Sequence, residues 1–262
     1  RSTLFPYTTL FRSRTGHMLQ KLKENGRVDI LELSNELKVS GVTIRKDLKT
    51  LEEKGLLFRS KGGGFLTNPY TNERPLNEKE FINVDQKKKI AREALSLIGQ
   101  NDSIIIGSGT TVFELARCLH PAKHLTVITP ALRVSLELCN RPNIDIFQLG
   151  GMIHQSSSSS AGSFPEKILE ELSCGILFLG VDGIDIEHGL TITNIIESSL
   201  NQKMISMAQT VVILADSSKF DRRGLAKICN LREVDYIVTD SGAPPAKLAK
   251  IEKAGVKIIV AE

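Results

Sequence analysis

No stretch of this 262-residue chain stays apolar for the roughly 18–20 residues that a membrane helix needs. Residues 1–13 lack both the apolar core and the small-residue cleavage site of a secretory leader. Cysteine is scarce: Cys118, Cys139, Cys174 and Cys229 lie far apart, with no C-x-x-C pair and no histidine at ligand spacing. That pattern argues against a disulfide framework or a zinc module and for reduced thiols. These absences lead us to expect a soluble, cytoplasmic protein with no membrane partner, no metal and no cofactor. What is present, 41% apolar and 24% charged residues, is ordinary for a globular chain, and the length allows a small and a medium domain.

Charge is unevenly placed. Residues 14–67 carry eleven Lys/Arg against seven Asp/Glu, whereas residues 68–262 carry 21 against 23. A basic first quarter on a near-neutral body suggests a module that faces nucleic acid, although a solvated surface gives the same count. The leading "RSTLFPYTTLFRS" has no periodicity that continues beyond Ser13, and it resembles a translated sequencing adapter. Residues 1–13 are therefore expected to be a non-native or disordered tail.

Three short helices are predicted next. "HMLQKLKENG" ends at Asn25-Gly26, and a second helix starts from Asp29, with Glu32 completing a capping box and Ile30, Leu33 and Leu37 forming its buried stripe. Ser40 is placed to cap the third, "GVTIRKDLKTLEEKG", whose stripe is expected to be Val42, Ile44, Leu48 and Leu51. Thr43, Arg45, Lys46, Lys49 and Thr50 are left for other faces. Two capped helices around a tight turn fit a helix-turn-helix, in which early residues of the second helix reach base edges and Lys or Arg bind phosphates. "LLFRSKGGGFL" then reads as a hairpin wing, with Arg59 and Lys61 toward the DNA backbone. A small helical cap with a solvated charged face is the alternative.

Residues 68–84 are polar, with two prolines and no apolar period, and read as a linker. In the helix after it, Lys87-Lys88-Lys89 reads as a solvated face rather than a DNA patch. Over residues 85–262, short apolar strands at 103–107, 125–129, 144–149, 175–180, 211–215, 236–240 and 256–260 alternate with helices. The fold class is thus α/β: an N-terminal winged helix-turn-helix (14–67), then a mostly parallel, Rossmann-like sheet buried on both faces. Such sheets bind ligands beyond the carboxyl ends of their strands. There lies Gly107-Ser108-Gly109-Thr110-Thr111, whose amides and hydroxyls at a helix start suit an anion, although a plain strand-to-helix turn would look alike. It lacks the lysine of a Walker motif. Gly150-Gly151 leads into the serine-rich "MIHQSSSSSAGSF", read as a mobile lid or a disordered surface loop. Asp182, Glu197, Lys203, and Asp216 to Lys219 come after later strands.

Both halves resemble one family. "RVDILELSNELKVSGVTIRKDLKTLEEKGLLFRSKGGG" is similar to the winged helix-turn-helix of DeoR-type bacterial transcription regulators, with Lys46 where a second Arg is usual. "GSGTT", "QLGG", "FLGVDGID" and "ADSSKF" resemble its sensor domain, which is similar in fold to ribose-5-phosphate isomerases and glucosamine-6-phosphate deaminases. The resemblance implies a double-stranded DNA operator read through Ser40, Thr43, Arg45, Lys46, Lys49, Arg59 and Lys61. It implies a phosphorylated sugar effector at Ser108, Gly109, Thr110, Thr111, Gly151, Asp182, Glu197, Lys203 and Lys219, and a homo-oligomer, dimer or tetramer.

An isomerase or deaminase carrying a DNA-binding appendage is the competing reading. Isomerisation needs a placed carboxylate and a cation beside the enediolate. Here Val181-Asp182-Gly183-Ile184-Asp185 stands at the isomerase motif position, and "GLTITNII" supplies neither its lysine nor its glycine run. No histidine sits at a strand end, His154 being nearest. A regulator without catalytic residues is expected, and repression by family resemblance.

Overall fold

The computed structural model describes residues 6–53, 56–59, 62–65 and 76–262. The chain divides into two compact units between Asn72 and Glu73. Among the described residues no helix is long and apolar enough to cross a membrane.

The first unit contains helix α1 (Pro6–Asn25), strand β1 (Arg27–Asp29), α2 (Ile30–Leu37), α3 (Gly41–Glu53), β2 (Phe58–Arg59) and β3 (Gly63–Phe65). Its three strands form one antiparallel sheet in the order β1-β3-β2. Helix α1 begins within the segment expected to be an unstructured tail. The Asp29 carboxylate accepts hydrogen bonds from the amides of Leu31 and Glu32 and so caps α2. Lys38 turns the chain out of α2 with a φ of 51°, and the Ser40 hydroxyl accepts from the Thr43 amide to open α3. Leu33, Ile44, Leu48 and Leu51 pack against Met18 and Leu22 of α1 in one core. Val42 does not join them. It is 72% exposed, because the stripe facing α1 starts at Ile44 and Val42 sits about 200° around the helix from it. Buried Asp47 is held by Arg14, tying α3 to α1. In the wing, Gly63 lies so close to β1 that a Cβ would come within 1.8 Å of the Val28 carbonyl oxygen.

The second unit runs α4 (Leu76–Glu80), α5 (Val84–Leu95), β4 (Ser103–Ile106), α6 (Thr110–Cys118), β5 (Leu125–Thr129), α7 (Leu132–Leu138) and β6 (Ile144–Gln148). It continues through β7 (Met152–His154), β8 (Ser159–Ala161), α8 (Ser163–Glu170), β9 (Cys174–Gly180), β10 (Gly183–Asp185), β11 (Gly189–Ile192) and α9 (Ile195–Met207). Strands β12 (Ala208–Leu214), β13 (Ala226–Cys229) and β14 (Tyr236–Asp240), helix α10 (Pro245–Lys253) and strand β15 (Lys257–Ala261) complete it. The seven anticipated strands form one parallel sheet, ordered β15-β14-β12-β9-β4-β5-β6. Side chains alternate across it: Ile105, Leu177, Leu179 and Ile213 enter one core. Ile104, Ile106, Ile176, Phe178 and Val212 enter the other, which is why the central strands β4, β9 and β12 read as apolar runs.

Three parts of this unit depart from the sequence reading. The serine-rich segment is an antiparallel hairpin, β7–β8, with Ser157, Ser159 and Ser160 buried. Strands β10, β11 and β13 form a small antiparallel sheet. The expected linker contains α4, which is pinned at several points. The Leu76 amide donates to the Ser156 carbonyl (2.8 Å), Arg133 binds Glu80 (2.8 Å), and the Lys87 ammonium donates to the Lys79 carbonyl (2.6 Å). Lys87 is therefore buried rather than on a solvated face, while Lys89 stays exposed.

Burial pushes the Lys87 ammonium down to about 8, against the opposing pull of Asp216. The unfolded chain then binds the proton more tightly than the native one, so stability rises with pH between about 8 and the ordinary lysine value of about 10.4, by up to about 3 kcal/mol. Urea unfolding across that range should show the rise in the parent protein and lose most of it in Lys87→Met. Leu48→Ala should cost the first unit about 2–5 kcal/mol, read by circular dichroism as an earlier denaturation midpoint.

Candidate functional site

Strands β4 and β9 are neighbours, but the chain leaves β4 toward β5 and β6 and leaves β9 toward β12, β14 and β15. Where connections part in this way, a crevice opens at the carboxyl ends of the strands. A cleft enclosing about 660 Å³, part of it open to solvent, lies there. Ser108, Gly109, Thr110, Thr111, Asp182, Glu197 and Lys219 line it, all anticipated from sequence.

On one wall is the loop after β4. The Gly107 amide donates to the Phe178 carbonyl (2.9 Å), closing the loop against β9. Gly109 has a φ of 128° and precedes α6 without any side-chain cap, leaving the first amides of the helix directed at the cleft. Uncapped amides and the positive end of a helix favour an anion.

The cleft also holds a cluster of charge. Asp182 accepts from Lys79 (2.9 Å), from the Thr193 amide (3.0 Å) and from the Thr193 hydroxyl (3.0 Å). Burial alone would raise its carboxyl, but Lys79, Lys219 and the Thr193 amide outweigh burial and hold it well below the usual carboxylate range. Burial lowers the Lys219 ammonium from its ordinary value, opposed by Asp182 and Asp216. Buried Asp216 accepts from Asn83 (2.9 Å) and the Ser218 amide (3.0 Å), which with Lys219 hold it ionised against the effect of burial.

The third wall joins the hairpin to α9. The Ser157 and Ser159 hydroxyls donate to one Glu197 oxygen, and His154 Nδ1 lies 3.4 Å from the same atom. Asn194 accepts from the amides of Ile196 and Glu197, capping α9, and its amide nitrogen lies 2.8 Å from His154 Nε2. Among the described residues, no group of three or more His, Cys, Asp or Glu side chains is arranged to hold a metal.

Two expected residues are elsewhere. Lys203 lies further along α9 and binds Glu170 at 3.0 Å on the surface. Gly151 has a φ of 142°, a backbone conformation that favours glycine, and a Cβ there would press on Pro165 at 3.0 Å and the Ala161 carbonyl oxygen at 3.2 Å. Conversely, Lys79, Ser156, Ser157, Asn194 and Asn201 line the cleft without having been anticipated. Only Asn194 left a signal, as the cap residue three before Glu197.

In the first unit, Arg45, Lys46 and Lys49 are exposed on α3. The Ser40 and Thr43 hydroxyls bond each other at 3.0 Å, and the Arg59 guanidinium lies 3.7 Å from Glu52. Lys61 lies outside the described residues.

Two family models match the chain: a DeoR-like helix-turn-helix domain over residues 14–68 and a DeoR C terminal sensor domain over residues 82–241. A candidate aga operon transcriptional repressor of Escherichia coli O157:H7 is 34% identical, covering 94% of this chain and 93% of its own. The transcriptional regulator GolR of Listeria innocua is 31% identical over 99% of this chain and 100% of its own. The transcriptional repressor GlcR of Bacillus subtilis is 31% identical over 94% of each. Ribose 5-phosphate isomerase A from Methanocaldococcus jannaschii is a distant structural neighbour, 20% identical with a TM-score of 0.39 over 53% of this chain and 55% of its own. The full-length relatives are regulators rather than enzymes, and both units match the same family. The chain belongs to the DeoR family of transcriptional regulators.

Proposed function

We propose that the protein is a repressor of carbohydrate genes that leaves its operator when a phosphorylated sugar enters the cleft between β4 and β9. The observation that carries the ligand class is that uncapped α6 amides, Lys219, Asp182 and Glu197 line one cleft. Amides and an ammonium satisfy a phosphate, and carboxylates accept from sugar hydroxyls. Two of the similar proteins are named as repressors, which supports the sign of regulation. Thr43, Arg45, Lys46 and Lys49 read and grip the operator, with Ser40, Arg59 and Lys61 at its phosphates.

Lys79 supplies a route from ligand to operator. It occupies one oxygen of Asp182, and it sits on α4, the first described helix after the DNA-binding unit. A sugar hydroxyl that claims this carboxylate competes with Lys79 and biases α4, so the ligand binds one arrangement of the chain better than the other. A homo-oligomer, dimer or tetramer, would present paired α3 helices to repeated half-sites. Exposed Met152, Phe164, Ile195 and Ile196 are apolar surface that such an assembly would cover.

Arg45→Ala should weaken operator binding by about 5- to 150-fold at fixed salt in a gel-shift assay and leave sugar-phosphate binding unchanged. Unaltered DNA affinity would remove Arg45 from the reading face. Lys219→Ala and Thr110→Ala should bind DNA normally yet resist release, with the thermal shift given by sugar phosphates reduced or lost. Normal release in both variants would refute the pocket.

A further inference from the structure

We propose that Val42 reads the 5-methyl group of a thymine in the operator, an assignment that rests on DNA recognition by α3. Val42 is the aliphatic side chain of α3 that the buried stripe leaves out. It is 72% exposed in the first turn, while Ile44, Leu48 and Leu51 are buried against α1 and α2. Its neighbours on the outward stripe are Arg45, Lys46 and Lys49, three, four and seven residues on, and all are exposed. The outward face of α3 is therefore one apolar group at the amino-terminal end followed by three cations.

That combination selects the occupant. A run of Arg and Lys complements a phosphate-lined groove and repels a basic protein surface. Helices that enter the major groove reach base edges with their amino-terminal residues, which is where Val42 stands. Within that groove the thymine methyl is the one apolar feature, and apolar side chains contact it. Valine suits the contact because its branched Cβ restricts χ1, so little rotamer freedom is lost on docking. Neighbouring Thr43 is less free to take the role, since its hydroxyl is bonded to Ser40 across the helix cap. Val42 then specifies a T·A pair, while Arg45, one turn along the same face, is placed for the adjacent pairs.

The test is selection of random duplex DNA by the full-length protein and by Val42→Ser at one salt concentration. The duplex best enriched by the parent is then remade with deoxyuridine replacing one thymine at a time. One thymine in each half-site should be sensitive, affinity falling about fourfold, the worth of burying one methyl group. Val42→Ser should bind the thymine duplex about fourfold less tightly and be indifferent to deoxyuridine at that position. Arg45→Ala should bind more weakly and still sense the methyl. A parent protein indifferent to every replacement overturns the assignment, as does a Val42→Ser variant that keeps the full sensitivity. Failure of the parent to enrich any duplex would overturn DNA recognition itself, and the Val42 assignment with it.

Discussion

The larger unit is organised by the divergence of two adjacent strands. Because β4 and β9 lie side by side while their onward connections run to opposite edges of the sheet, a crevice opens beyond their ends. Apart from Lys79 of α4, the charged groups and free amides of the cleft come from strand ends or from the loop or helix just beyond them. The loop after β4 brings uncapped amides, the end of β9 brings Asp182, and the turn after β12 brings Lys219. Parallel pairing makes this possible, since all seven strands point their carboxyl ends the same way.

The charges within the cleft are arranged to tolerate burial. Taking a carboxylate or an ammonium out of water is costly unless a partner and hydrogen bonds replace the solvent. Asp182 has Lys79 and two donors from Thr193, and Asp216 has Asn83 and the Ser218 amide. Glu197 is treated differently, with hydroxyls rather than a lysine around it. The cleft thus has one carboxylate already committed to a lysine and one held by serine hydroxyls beside His154. A ligand meets different competition at each.

Much of this was legible, and the limits have physical causes. A strand buried on both faces is apolar at nearly every position, so the central strands of the parallel sheet stood out as runs. Loops at strand ends were readable for the same reason, which placed Ser108 to Thr111, Asp182 and Lys219. The hairpin was obscured because its buried serines satisfy one another and Glu197, contacts that leave no apolar period. Lys79 was hidden in a five-residue helix whose position depends on distant partners, including Asp182. Lys203 failed for a geometric reason: its side chain pairs with Glu170 of α8, well away from Glu197's hydroxyl donors. Val42 misled because helical spacing alone does not say which side of an apolar pair faces the core.

The β4–β9 seam is tightly packed where it meets the loop after β4. A Cβ on Gly107 would stand 2.6 Å from Cδ1 of Leu179, so these two positions share a single allotment of volume. Either can be enlarged only as the other is reduced or turned aside. A larger residue at position 107 would require the Leu179 side chain to turn aside or shorten. Because position 107 opens the loop after β4, a change at Leu179, near the carboxyl end of β9, would be felt as a change in the shape offered to the ligand.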